Sequence, residues 1–289
     1  MANLPLTLPE LSPPLPPSWY EAPFVIRSEP ASLPGASLDA LEHLSSSWRA
    51  HAEFYPRGAR SAAASALRLA PRRSLRRLRQ GDASGAYALL PVPPRRWPQL
   101  LAAAGVEEPP FVAEARRRPE EECASAVGHA NVSARFEREL RWRLLIVGGG
   151  PGAGMHLHAD HPPASAWHVQ LRGRKAWTLC PPNQTRGGGC LEATLGPRDQ
   201  LFFPRGWRHA TATLDAGSAS ASRLLVTPPD APLFGAAVQD HCTRGLALSR
   251  GSYEVLCAAL APCLRRLMAG QWTQDGLDSQ RADSARILA

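Results

Sequence analysis

The chain has 289 residues, 44% of them hydrophobic and 20% charged, which is a globular composition in a chain long enough to bury a sizeable core. No run of about 18 apolar residues occurs, which excludes a membrane-spanning helix. The formal net charge is +8, yet Lys175 is the only lysine and every other basic residue is arginine. Near-total replacement of Lys by Arg, beside abundant Ala, Gly and Pro, reads as the bias of a GC-rich genome. Charge alone therefore does not imply an acidic partner, and the one position that stayed Lys stands out.

Met1–Pro17 holds six prolines and neither a basic nor an apolar signal-like stretch, so a disordered or extended leader is expected and a conventional secretory signal is not. Proline totals 29, about twice the usual ~5%, and glycine 23, which favours short elements joined by turns over a long helical bundle. Pro23-Phe24-Val25-Ile26-Arg27 is a short strand candidate. Ser37 can cap a helix carrying Leu38, Leu41, Leu44 and Trp48. Residues 57–80 are rich in Arg and Ala, with Arg72, Arg73, Arg76, Arg77 and Arg79 close together. Two readings stand: a patch for nucleic acid or another acidic partner, and a solvated face in an Arg-biased protein. The absence of interleaved aromatics favours the second.

Trp97, Leu100 and Leu101 begin a short helix, and residues 114–122 form a mixed-charge run. From Arg141 the texture changes. Arg141–Val147 reads as a strand ended by Gly148, Gly149, Gly150 and Gly152. Further strands are expected at Met155–Asp160, Ala166–Leu171, Lys175–Cys180, Asp199–Phe203 and Ser220–Val226. Short strands at close spacing suggest an antiparallel sandwich or barrel. After Pro232 the pattern turns helical, with Val255, Leu256, Ala259, Leu260, Cys263, Leu264 and Leu267 on one face.

The six cysteines, Cys123, Cys180, Cys190, Cys242, Cys257 and Cys263, form no CxxC pair, so a zinc ribbon is unsupported. They are expected to be reduced thiols of an intracellular protein, and the sequons at Asn131 and Asn183 to be chance matches. Nucleus and cytoplasm are not distinguished.

The segment His156-Leu157-His158-Ala159-Asp160-His161 carries the densest chemistry. Residues two apart on a strand share a face about 6–7 Å apart, so His158 and Asp160 can meet on one metal ion. His209, presented after the Pro204-Arg205-Gly206-Trp207 turn, supplies a third ligand. Two His and one carboxylate with open positions suit Fe(II) and a bidentate oxo-acid. His156 shares the face of His158 as a lesser competitor, and His161 and His168 read as outlying residues. Lys175 opens a strand on the same side as Trp177. A slim ammonium on an apolar stem fits the distal carboxylate of 2-oxoglutarate where a guanidinium fork does not. Trp167, Trp177 and Trp207 read as barrel wall.

His158-Ala159-Asp160, then Gly173-Arg174-Lys175-Ala176-Trp177 followed by Pro181-Pro182, then Asp199 to His209 through Phe203-Pro204-Arg205-Gly206-Trp207, resembles the JmjC-domain (cupin-like) 2-oxoglutarate oxygenases. With Ser165-Ala166-Trp167, it is nearest to small members that hydroxylate protein side chains. The resemblance is strong over 141–230. It implies a mainly β fold with flanking helices, a double-stranded β-helix of the jelly-roll type. It divides the chain into a leader (1–17), a helical and strand segment (18–140), a barrel core (141–230) and a helical segment (231–289). It also implies Fe(II) on His158, Asp160 and His209, 2-oxoglutarate on Lys175, O2 as co-reactant, a protein substrate, and hydroxylation or N-demethylation with release of succinate and CO2. The C-terminal helix is where such proteins often dimerise. One position departs: many members carry Thr three residues before the first metal His, and here it is Met155, which has no hydroxyl. Ser165, His168 and Thr178 are the candidates to compensate. An inactive cupin-fold scaffold is the alternative reading that Met155 favours, and a nucleic-acid-binding protein using residues 68–79 is the weaker one.

Overall fold

The computed structural model describes residues 6–16, 18–28, 36–48, 50–56, 59, 65–79, 85–113, 115, 143–161, 163–182 and 189–248. These fall into two compact units. The first holds the described residues up to Pro109, from Arg143 to Asp160 and from Ser165 to Leu224, and the second those between 110 and 115, 161 and 164, and 225 and 248.

In the first unit the strands are β1 (Leu6–Thr7), β2 (Phe24–Ile26), β3 (Ala52–Tyr55), β4 (Leu67–Leu69), β5 (Tyr87–Pro91), β6 (Arg143–Gly148), β7 (Ser165–Arg172), β8 (Lys175–Cys180), β9 (Leu191–Leu195), β10 (Gln200–Phe203), β11 (Arg208–Thr213) and β12 (Ser218–Leu225). They form two sheets, one in the order β1-β9-β8-β11 and one in the order β2-β10-β7-β12-β6-β5-β3-β4. β1 pairs with β9 in parallel, and β2 with β10, β10 with β7, β12 with β6, β6 with β5, β5 with β3, β3 with β4, β9 with β8 and β8 with β11 pair antiparallel. Two facing antiparallel sheets of this order make a jelly-roll, the double-stranded β-helix the sequence implies. The larger sheet draws β2 to β5 from the segment before residue 140, so the barrel wall is not confined to 141–230.

Alternation decides which side chains enter. On β8, Lys175, Trp177 and Leu179 are buried while Ala176 and Thr178 are partly exposed. On β10, Phe203 faces the interior beside His168, Trp177 and His209. Phe202 faces outward, where it packs against Trp19 and Phe24. Helices α1 (Leu38–Ser45), α2 (Pro71–Arg79) and α3 (Trp97–Ala102) lie together, α2 against β3, β5 and β6. Ser37 caps α1 as its position suggests, its Oγ accepting from Ala40 N at 3.0 Å. Asp199, which opens the Pro-Gly-Trp-His stretch, is a staple. Its carboxylate accepts from Gly196 N, Ser28 N and the Arg27 guanidinium at 2.8–3.1 Å, tying β2 to the β9–β10 turn.

Three expectations are corrected. The leader is structured over 6–16: β1 pairs with β9, Leu8 is buried, and Leu11 N and Val25 N close backbone bonds to Val25 O and Pro9 O. The edges of β9 and β2 offer backbone partners to a Pro-rich segment with few alternatives of its own. Met155–Asp160 is not a strand. Met155 N donates to the Thr211 side chain instead of a carbonyl, which breaks the ladder and leaves isolated bridges at Met155 and His158. Cys180 and Cys190 are joined in a disulfide, not reduced. Leu179 pairs with Leu191 across antiparallel β8 and β9, so Cys180, just after Leu179, stands opposite Cys190, just before Leu191, with Cα atoms 4.2 Å apart.

In the second unit Asp230 accepts from Thr227 N and Thr227 Oγ1 at the start of α4 (Ala231–Leu248). The apolar face expected at Val255–Leu267, the sequons, and Cys123, Cys257 and Cys263 lie outside the described residues. No described helix is long and apolar enough to cross a membrane.

A disulfide over ten residues of separation closes a short loop, for which chain entropy gives about 2–3 kcal/mol. Urea denaturation of Cys190→Ser should show that loss, and a reductant should lower the stability of the unmodified protein by about that much more than it lowers the variant's.

Candidate metal centre

The centre is assembled from two backbone segments. His158 N donates to His209 O at 3.0 Å and His209 N donates to His158 O at 2.7 Å, so the two imidazoles rise from one tight pair. Two glycines make this geometry reachable. A Cβ on Gly154 would lie 1.9 Å from Thr211 O, so only glycine lets the incoming segment approach β11. Gly206, at φ +82°, turns the chain from β10 into β11 and delivers His209.

The ligand atoms of His158, Asp160 and His209 lie within 4.8 Å of one another. Asp160 Oδ1 is 3.8 Å from Nε2 of both imidazoles. His158 Nδ1 is 2.8 Å from His156 O and His209 Nδ1 is 3.5 Å from Trp207 O. A carbonyl at Nδ1 holds the proton there and leaves Nε2 with a lone pair for a metal. Burial pushes the His209 imidazole down to about 4, with the nearby charge of His158 adding to this and Asp160 opposing it, so it is neutral at pH 7 as a ligand must be. Two imidazoles and a carboxylate around a common point fit a divalent first-row metal with open positions. His156 is not among the residues whose ligand atoms converge, and its Nδ1 lies 3.0 Å from Ala59 O. His161 is exposed.

Lys175 is fully buried, and no carboxylate of the described residues pairs with it. Its Nζ donates to Ser220 Oγ at 2.6 Å and lies 5.7 and 5.9 Å from the rings of Tyr87 and Trp177. Burial lowers its pKa from 10.5 to about 7. A buried cation flanked by aromatic rings and a hydroxyl has the composition of an anion site. Burial also holds the Tyr87 phenol well above its ordinary value, and its hydroxyl pairs with Thr211.

The sequence reading missed how the interior is organised around β12. In Ser218-Ala219-Ser220-Ala221-Ser222 every second residue carries a hydroxyl, and each serves one polar side chain, two from the neighbouring strand β7 and one from β8 of the other sheet. Ser218 takes Gln170 Nε2 (2.8 Å), Ser220 takes Lys175 Nζ (2.6 Å), and Ser222 lies 3.3 Å from His168 Nε2. The strict Ser/Ala alternation was the available signal. Of the three residues considered as substitutes for the missing Thr, Thr178 is on the outer face of β8 and Ser165 accepts from Arg205 N. Only His168 lies inside. It is stacked on Phe203, 6.4 Å between ring centres from His209, held neutral by burial and neighbouring positive charge, and its Nδ1 has no hydrogen-bond partner. Met155 packs into the apolar cluster of Ala59, Tyr87, Leu89, Ile146 and Ala153.

Fold and donor set together define a cupin-type barrel able to hold a metal ion beside a buried cation. No protein-family model matches the chain, and no curated protein does. Among solved structures it is similar to Escherichia coli YcfD, a ribosomal oxygenase, in complex with cobalt and succinic acid (17% identity, TM-score 0.42, 80% of this chain and 55% of that one). A second structure of the same oxygenase gives 18%, 0.43, 80% and 54%. A third structure of E. coli YcfD gives 16%, 0.44, 82% and 58%. The chain thus spans little more than half the length of these proteins.

Gly154→Ala should destabilise at or above the roughly 1–3 kcal/mol of overpacking, because backbone must move. It should also weaken divalent-metal binding at least tenfold by isothermal titration. A second outcome follows from Lys175. In the folded protein it loses its proton near pH 7, while the unfolded chain keeps it to about 10.5. Between these values the unfolded state binds more protons, so this group makes the ligand-free fold gain stability as pH rises from about 7 to 10.5. A bound dicarboxylate favours the charged form. Its binding should therefore take up a proton above pH 7 and weaken as pH rises, read by calorimetry in buffers of different ionisation enthalpy.

Proposed function

We propose that the protein is an Fe(II)- and 2-oxoglutarate-dependent dioxygenase that hydroxylates a protein side chain. The observation that carries this reading is the convergence of His158, Asp160 and His209 on one point within a barrel that also buries Lys175 with no carboxylate partner among the described residues. The JmjC resemblance of the sequence points the same way. When bound, the metal with 2-oxoglutarate and O2 supplies the oxidation: one oxygen atom enters the substrate C–H bond as hydroxyl, the other enters succinate, and CO2 leaves. Hydroxylation of an N-methyl carbon would release formaldehyde, so demethylation is the same chemistry on another substrate.

The chain's own residues set the geometry. His158 and His209 offer Nε2 and Asp160 offers Oδ1, leaving the remaining metal positions open. Lys175 anchors the distal carboxylate, with Ser220 orienting its ammonium and Tyr87 beside it. His168 has an unpaired Nδ1 and a neutral ring, and it takes over the hydrogen bond that Met155 cannot make. If Ser222 donates to Nε2, Nδ1 carries the proton and is a donor. Trp177 and Phe203 keep water from the wall between Lys175 and His209, where it would weaken the electrostatic hold on a dianion.

Met155 favours a second reading, a barrel that binds but does not turn over. Purified protein given Fe(II), ascorbate, O2 and 2-oxoglutarate is expected to form succinate slowly without a substrate. His158→Ala/Asp160→Ala should lower this at least 100-fold. Lys175→Ala should raise the KM for 2-oxoglutarate at least tenfold. If 2-oxoglutarate binds in calorimetry without any succinate forming, the scaffold reading replaces the enzyme. If neither binding nor succinate is seen, both the Lys175 assignment and the oxygenase fail.

A further inference from the structure

Helix α2 has one buried stripe, Pro71, Ser74, Leu75 and Leu78, and every exposed position between them is arginine: 72, 73, 76, 77 and 79. Codon bias explains why these residues are Arg and not Lys. It does not explain the absence of the opposite sign. From Phe54 to Gly81 there are eight arginines and no Asp or Glu, in a chain that has 25 acidic residues overall. The pattern also works against the helix itself, since Arg72/Arg76 and Arg73/Arg77 are like-charge pairs at i, i+4, where a Glu would stabilise.

Two acids of α1 meet part of this charge. Glu42 contacts Arg72, Arg76 and Arg79, and Asp39 contacts Arg79. Arg73 and Arg77 have no carboxylate partner among the described residues, and Arg77 lies 5.8 Å over the Phe54 ring. A cleft of about 460 Å³ opens along the same face, lined by Ala70 and Arg72, Arg73, Arg76 and Arg77.

We propose that this arginine face binds the phosphodiester backbone of nucleic acid. Guanidinium forks match phosphate oxygens bidentately, and successive backbone phosphates suit two parallel rows of them. The exposed face of the helix offers no aromatic or aliphatic anchor of the kind that centres a protein interface. With no stacking platform either, recognition is of backbone charge. It is tolerant of sequence, and it favours a duplex over an unstructured single strand because the duplex carries more charge per unit length. The surface is separate from the metal centre and independent of the oxygenase reading.

The test is fluorescence anisotropy of the full chain with a labelled RNA duplex of about 20 base pairs, titrated at several salt concentrations. The expected slope of log K against log salt is about −2 to −4, for two to four phosphates neutralised. Arg73→Glu/Arg77→Glu should weaken binding at least tenfold and make the slope shallower by about 2. Arg73→Gln/Arg77→Gln should give an intermediate loss, and both variants should keep the thermal midpoint of the unmodified protein. His158→Ala/Asp160→Ala should bind the duplex unchanged. No binding by the unmodified chain at low salt would overturn the proposal, as would unaltered affinity and slope in the arginine variants. Polyglutamate competing as well as the duplex would reassign the face to an acidic protein. Loss of binding in the metal-site variant would place the contact elsewhere.

Discussion

The pair of backbone hydrogen bonds between His158 and His209 is the constraint on which the site depends. Metal ligands contributed by segments 51 residues apart cannot be placed by side-chain reach alone. Here the two main chains are bonded to each other at the ligand positions themselves. Their imidazoles are therefore fixed before any ion arrives, and the carboxylate two residues on falls between them. Much of the surrounding structure serves that bond pair. Gly154 lets the segment close on β11, the Gly206 turn sets the start of β11, and Asp199 holds the β9–β10 corner that starts the strand leading into that turn. A defect in any of these displaces a ligand without touching one.

The interior has an uncommon electrostatic make-up for a β-barrel of this size. A lysine, two imidazoles held neutral by burial, a glutamine and a ladder of serines occupy positions that apolar residues usually fill. Desolvation moves Tyr87, His168, Lys175 and His209 toward the uncharged form. Some polar atoms, among them His168 Nδ1 and Gln170 Oε1, are left without partners in the protein. Such atoms cost roughly 1–3 kcal/mol each when buried, a cost that a polar ligand between the sheets would relieve. The fold is thus less than optimally stable on its own at the place where a charged small molecule would sit.

What the sequence disclosed followed from density of signal. His158, Asp160, Lys175 and His209 stood within short patterned stretches, and the strands that carry Lys175 and His168 were legible from alternation between turn residues. The helix after Ser37 was legible from its cap and apolar spacing. The missed features depend on pairing between distant segments. Cys180 and Cys190 look like any two cysteines until the β8–β9 register puts them opposite each other. The serine ladder of β12 is only a string of small residues until β7 lies beside it and β8 of the other sheet contributes Lys175. Strands β3 and β5 are short runs flanked by Arg, Gly and Ser, and their membership of the sheet rests on β6. The proline-rich start looked unable to pack because its partner, the free edge of β9, lies nearly 190 residues away.

The disulfide has a topological meaning beyond its effect on stability. Strand β8 lies between β9 and β11, so it carries Lys175 and also sets the register of His209. Because Cys180 and Cys190 are bonded, the connection from β8 to β9 is a covalent ring. A single scission of the peptide chain anywhere within that ring leaves both strands attached to each other. The end of β8 and the start of β9 cannot separate or slide past each other at that point. The strand that carries the lysine thus stays fastened to β9 even if the chain between these strands is nicked.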